Sequence, residues 1–149
     1  MNWIYKSTNK EIKELYDFPR NAYGFIYMLI YDTNKAYIGQ KSLYSYQTLP
    51  ALKNGTQRPN SERIGKNKNG KRVYFDKVQK ESNWKSYESS SKDIPKEVNL
   101  IEKKVLAVAY SKRELTYLET KYLFQYEVLE SEDYYNGNIL GKFYKGNIT

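Results

Sequence analysis

Residues 23–31, YGFIYMLIY, run for nine positions without a charge. Their aromatic and β-branched content makes this run a mostly buried strand, and any fold must be built around it. The tetrad Asp32-Thr33-Asn34-Lys35 that follows is turn chemistry, and Ala36 to Gly39 resumes the apolar pattern, so the segment predicts a β-hairpin. Ile101 to Tyr110, with Val105-Leu106-Ala107-Val108-Ala109 inside it, predicts a central strand. Directly after it, Ser111-Lys112-Arg113-Glu114 reads as a capping box. Leu115, Leu118, Tyr122 and Leu129 then recur at helical spacing, so a helix is predicted from about Lys112 to Glu130.

The rest of the chain is less regular. A short helix is expected near Lys10 to Tyr16, ending before Pro19. Residues 50–72 hold Pro50, Gly55, Pro59, Gly65 and Gly70 among repeated Asn and Lys, and read as a loop or insertion. Arg72 to Val78 follows as a short strand or extended arm, and Trp84 is expected to anchor the core. After the helix come a turn at Asn136-Gly137-Asn138 and a short apolar return, Ile139-Leu140. The order implies an α+β fold, a small antiparallel sheet with helices around it.

Composition narrows the chemistry. The 149 residues are enough for one domain with its own core. The chain has no cysteine, so it forms no disulfide, and it suits a reducing cytoplasm. It also has no histidine, so any catalysis must run on Tyr, Lys, Arg, Asp, Glu or Ser. No apolar run is long enough to span a bilayer and residues 1–16 lack a signal-peptide core, so a soluble, cytoplasmic protein without a membrane partner is expected.

The charge is unevenly spread. The chain is +8 overall, yet Lys53 to Lys80 alone holds nine basic residues against Glu62 and Asp76. That concentration is the footprint expected for a polyanion, although a solvated loop has the same composition. Beyond Lys53, the candidate nucleic-acid contacts are Arg58, Arg63, Lys66, Lys68, Lys71, Arg72, Lys77 and Lys80. Such residues would hold phosphates, giving affinity and salt dependence but little base reading.

"GFIY" (24–27) and "YIG" (37–39), ten residues apart tyrosine to tyrosine, resemble the signature of the GIY-YIG nuclease superfamily. Glu119, on the capped helix after a third strand, stands where that superfamily keeps a metal-binding glutamate. Asn136, in "EDYYNGNI", matches its asparagine beyond the helix. "KVQKESNWKSYESSSKDI" (77–94) is similar to a segment of free-standing, phage-encoded Seg-type homing endonucleases. The resemblance spans roughly residues 22–143. It implies one nuclease domain over 1–149: an N-terminal arm or helix (1–21), the motif hairpin (22–42), a basic insertion (50–80), and a third strand, Glu-bearing helix and tail (100–149). The sheet would be three-stranded and antiparallel, flanked by helices.

The resemblance further implies a metal-dependent endonuclease acting on double-stranded DNA in a phage host's cytoplasm. Tyr27 would be the general base, Tyr37 would orient water or phosphate, and Glu119 would hold Mg2+ or Mn2+. Asn136 would fix Tyr27 or the backbone around it. The family's first-helix arginine falls at Gln47 here, leaving Lys41, Arg63 or Arg72 to supply the cation. That departure keeps a second reading open, a nucleic-acid-binding protein on the same fold that has lost cleavage. Glu88 stands where Seg-type relatives tend to have glycine. Only about twenty residues follow the helix, so no separate C-terminal DNA-binding domain is expected, and specificity must come from the insertion, the N-terminal arm or a homodimer.

Overall fold

The computed structural model describes residues 1–147, and the fold is α+β, mostly strands with one α-helix. It comprises two compact units: Met1–Leu43 with the chain from Asn83 onward, and Tyr44–Ser82. No helix among the described residues is long and apolar enough to cross a membrane.

The first unit is built on the predicted hairpin, β3 (Gly24–Tyr31) and β4 (Ala36–Ser42), paired from Gly24↔Ser42 to Ile30↔Ala36. Its turn closes with Asn34 at φ 64, a left-handed conformation that asparagine tolerates. The predicted central strand, β8 (Leu100–Ala109), lies against the other edge of β3. The expected three-stranded sheet is therefore only the centre of a five-stranded one, because β1 (Trp3–Tyr5) joins β8 in parallel and β2 (Glu11–Ile12) joins β1.

The N-terminal helix expected over Lys10 to Tyr16 does not form. Ile12 pairs with Trp3, both 1% exposed, and a helix would pull Ile12 out of that contact. What remains of the helical tendency is one 3-10 turn, Leu15–Asp17, where the Asp17 carboxylate accepts the Lys13 and Glu14 amides at 2.9 and 3.0 Å. Burial of one apolar side chain outweighs a few tenths of a kcal/mol of helix propensity per residue.

The two sheet faces are covered differently. Strand alternation puts Ile26, Met28 and Ile38 under α1 (Lys112–Gln125), where they join Leu115, Leu123, Val128 and Ile139. Phe25, Tyr27 and Leu29 point the other way, and Trp3, Phe18 and the fully buried Trp84 pack with that aromatic face. Trp84 is the anchor expected of it: Phe18 meets it edge-on at 5.1 Å and its carbonyl accepts the Trp3 indole N–H at 2.7 Å.

Helix α1 starts as predicted, with the Ser111 hydroxyl accepting the Glu114 amide at 3.0 Å. The Glu114 carboxylate reaches one residue further back than a standard box, to the Tyr110 amide at 2.9 Å. The helix ends at Gln125 rather than Glu130. Glu127 turns left-handed at φ 52, Val128 donates to the Leu123 carbonyl at 3.2 Å, and Glu127 donates to Phe124 at 3.1 Å. This Schellman motif turns Val128 and Leu129 into the core instead of continuing the helical stripe. A glutamate there carries the left-handed penalty of about 1–2 kcal/mol, while glycine adds roughly 0.5–1 kcal/mol of backbone entropy cost. Glu127→Gly should therefore raise unfolding stability by roughly 0.5–1 kcal/mol in urea titration, and a loss of stability would count against this cap. Beyond the helix, β9 (Asn138–Ile139) and β10 (Phe143–Tyr144) pair as a small ribbon, and the last two residues of the expected tail lie outside the described residues.

The second unit corrects in part the loop expected at 50–72: residues 51–60 are irregular, but strands flank them. It is a three-stranded antiparallel sheet ordered β5-β7-β6, from β5 (Tyr44–Pro50), β6 (Ser61–Lys68) and β7 (Lys71–Glu81). Its polar sequence concealed the strands because little of this sheet is fully buried. Gln47 accordingly lies on a strand, and the element directly after β4 is β5 rather than a helix.

Candidate active site

Alternation along β3 and β4 sends Tyr27, Tyr37, Gly39 and Lys41 to the aromatic face. Tyr27 pairs directly with Gly39, and its ring lies across that glycine, where a Cβ would stand 2.5 Å from the tyrosine Cζ. Glycine is required here for the space above it. The Tyr27 and Tyr37 rings are 6.4 Å apart and tilted by 34°. Trp3 at 5.6 Å and Tyr87 at 5.9 Å complete the surround of Tyr27, which is 2% exposed.

A polar strap runs beside these rings. From Tyr87 its side chains alternate, so Ser89, Ser91 and Asp93 follow at every second residue. The Ser89 hydroxyl accepts the Ser91 amide at 3.1 Å, and the Ser91 hydroxyl accepts the Asp93 amide at 3.1 Å. The Asp93 carboxylate in turn accepts the Gly137 amide at 3.0 Å, so each side chain holds the next backbone group and the last ties the strap to the tail. Backbone strain falls on Ser89, at φ 71, rather than on Glu88, where the missing glycine was expected. These hydroxyls reach the tyrosines, Ser89 and Tyr87 hydrogen-bonding with Tyr27, and Ser91 with Tyr37.

The electrostatics follow from burial. Desolvation drives the Tyr27 phenol far above its ordinary range; the Ser89 hydrogen bond opposes this, and Tyr87 and Tyr37 add to it. Half-buried Tyr37 is also pushed up, first by burial and then by the nearby Glu119 and Asp93 carboxylates, against the Ser91 hydrogen bond. Burial alone pushes Glu119 up to about 7. Glu119 is half-buried on α1, one residue beyond the core-packed Leu118. A divalent cation held here would rest on the Glu119 carboxylate, which acts on Tyr37 together with Asp93. Among the described residues no three acidic side chains cluster, so Mg2+ or Mn2+ would take most of its ligands from water and phosphate.

Lys41 lies on the same strand face, its ammonium 4.2 Å from the centroid of the Tyr87 ring. Asn136 is 3% exposed and works on backbone: its carbonyl accepts the Ile38 amide at 3.0 Å and its amide donates to the Ile38 carbonyl at 2.8 Å. It thereby holds the residue between Tyr37 and Gly39, and the isolated bridge Ala36↔Tyr134 extends the same seam.

The basic residues divide into two kinds. Arg58 and Arg63 bind fully buried Asp76, at 3.1 and 2.7 Å, and serve the internal structure of the second unit. Burial pushes the Asp76 carboxyl up, but the Arg63 and Arg58 hydrogen bonds and charges reverse this and hold it below the ordinary carboxylate range. Strand register puts Lys66, Lys68, Lys71 and Lys77 on one face of that sheet and Arg72 and Lys80 on the other. Lys77 stands 4.7 Å from the centroid of the Tyr46 ring.

Sequence reasoning did not assign Tyr87, Ser89, Ser91 and Asp93 to the site. Their signal was the polar alternation in "YESSSKD", which carries a role only once the strap is seen beside the tyrosines. No curated protein and no solved structure shows significant similarity to the chain. The sequence model of a family described as "Putative endonuclease segE, GIY-YIG domain" matches residues 3–139.

Proposed function

Since the chain belongs to the SegE GIY-YIG endonuclease family, we propose that it hydrolyses phosphodiester bonds of double-stranded DNA as a phage-type homing endonuclease, with Glu119 holding one divalent cation. The observation that supports this reading is the placement of Glu119, a half-buried carboxylate whose pKa burial pushes up to about 7 and whose charge bears on Tyr37. When bound, Mg2+ or Mn2+ would supply positive charge to the scissile phosphate and acidity to its water.

The chain's own residues do the rest. Tyr37 hydrogen-bonds the water or phosphate and sets its orientation. Tyr27 accepts the water's proton as phenolate, having first given its own proton to bulk solvent. Its burial keeps the phenol neutral in the free protein, and the same low dielectric magnifies the effect of any cation that enters. Lys41 neutralises a phosphate oxygen, replacing the arginine absent at Gln47. Arg63 is already committed to Asp76, which makes it the weaker alternative. Asn136 keeps the Tyr37–Gly39 backbone in register, and Ser89 and Ser91 hold the two hydroxyls.

Supercoiled plasmid incubated with the protein and Mg2+ should become nicked or linear, and EDTA should stop the conversion. Tight binding without conversion at any Mg2+ or Mn2+ concentration would favour the second reading, a binding protein that has lost cleavage. The placement of Gln47 on strand β5, where the family has an arginine on a helix, is the observation on that side.

A further inference from the structure

Strand β5 covers β7 only from Tyr44↔Glu81 to Pro50↔Phe75. Past that point the Ala51 amide still donates to the Tyr74 carbonyl at 3.1 Å, and beyond it residues 66–68 and 71–73 pair with each other as a two-stranded ribbon. Asn69 and Gly70 close it, both left-handed at φ 52 and 77, the conformation of a type I′ hairpin turn. Lys66, Asn67, Lys68, Lys71 and Arg72 are exposed, and Tyr74 is 49% exposed. Two strands with so little buried apolar surface are marginal alone, and the Asp76–arginine cluster at the ribbon's base gives them a rigid mount.

We propose that this ribbon enters the major groove of duplex DNA, with its lysines on phosphates and the Asn67–Arg72 pair on base edges. The proposal rests on the DNA-substrate reading above and names the part of the chain that recognises the target. Four cations and no acid fall within residues 66–72. Among the described residues none of these four is in an ion pair, in contrast to Arg58 and Arg63.

The ribbon's dimensions suit the groove. Paired strands lie about 4.8 Å apart, and the B-form major groove, about 12 Å wide, admits a two-stranded ribbon. Register divides the labour. Lys66, Lys68 and Lys71 share one face, while Asn67 and Arg72 stand directly opposite each other on the other. An arginine fork matches guanine O6 and N7, and an asparagine amide matches adenine N6 and N7. The Arg72 side chain crosses the ribbon over Gly65, where a Cβ would stand 2.6 Å from its Nε. Gly65 thus keeps open the space in which the guanidinium lies.

The test uses the full chain, a library of randomised duplexes for base preference, and fluorescence anisotropy across a salt series. Lys66→Ala/Lys68→Ala/Lys71→Ala should weaken binding to every duplex alike and flatten the slope of log affinity against log salt by about 2–3. Asn67→Ala/Arg72→Ala should lose base preference at one or two positions, worth about tenfold each, while flattening the slope by no more than about 1. Hydrogen exchange across β5–β7 reports whether the sheet stays folded in each variant. Wild-type slope and base preference in both folded variants would overturn the proposal. Duplex RNA of the same sequence bound as tightly as DNA would also overturn it, because the A-form major groove is too deep and narrow for the ribbon. Plasmid nicking by the same preparations separates the two readings. Ribbon variants that shift binding while wild type never cuts would sink only the nuclease assignment. A cutting wild type with unaltered ribbon variants would sink only the groove proposal.

Discussion

Glu119→Gln should lower metal-dependent DNA cleavage by at least about a hundredfold, about 2.7 kcal/mol of activation free energy. The substitution keeps the size of the side chain and removes the one charge assigned to the cation. Its effect on stability runs the other way. In the folded protein burial raises the Glu119 pKa from 4.5 to about 7. Between those values the folded state holds a proton that the unfolded chain has released, so stability falls as pH rises through that window and levels off above it. Glutamine never ionises. Without metal at pH 8 the variant should therefore be more stable than wild type by roughly 1–3 kcal/mol, and the gap should vanish near pH 4. Adding Mg2+ should raise the melting temperature of wild type and leave the variant unmoved, because metal and proton compete for the same oxygens. Cleavage by Glu119→Gln at the wild-type rate would remove Glu119 from the site, whatever the melting curves show.

Tyr27→Phe should cost about 10²–10⁴ in cleavage rate, the usual contribution of a positioned acid or base. The accompanying stability change should stay near 1 kcal/mol, the net worth of one hydrogen bond. The pH profile isolates the role. Burial holds the phenol far above neutrality, so the fraction able to take a proton grows about tenfold per pH unit, and the wild-type rate between pH 7.5 and 9 should climb accordingly. Phenylalanine at 27 should flatten that climb, whereas a slope that survives the substitution would put the proton acceptor elsewhere. Gly39→Ala provides an independent check, because it leaves every hydroxyl in place. The new Cβ would stand 2.5 Å from the Tyr27 Cζ, so the ring must move and the rate should fall although no reactive group is gone. Tyr37→Phe would not reproduce this pH behaviour if Tyr37 only orients.

The hairpin, the central strand and the start of α1 were legible because their causes lie within a few residues of one another. An uncharged aromatic run, an Asn-containing turn and a Ser–Glu cap act locally, and no distant partner overrules them. Tyr27 and Tyr37 were picked out through the family resemblance of the hairpin, whose pairing ten residues apart is itself a short-range event. Glu119 was legible only through family resemblance. Nothing in its neighbourhood on an amphipathic helix distinguishes it from a solvated glutamate, and its raised pKa comes from burial that the helix alone does not supply.

Other features depended on partners far along the chain. Ile12 lies in a strand because it is buried against Trp3, which runs parallel to a strand about a hundred residues later. Val128 and Leu129 leave the helical stripe because the Schellman turn at Glu127 aims them into the core. The inserted segment has a loop's composition and a sheet's structure, since backbone pairing and one buried carboxylate organise it where apolar burial is scant. Local sequence by itself determined where strands, turns and the helix cap could begin, because those choices cost only local backbone energy. The tertiary structure alone decided which cations stay free for a ligand, which tyrosine is sealed from water, and which serines hold the hydroxyls. Each of those is set by burial and charge contributed by residues that the chain brings together only on folding.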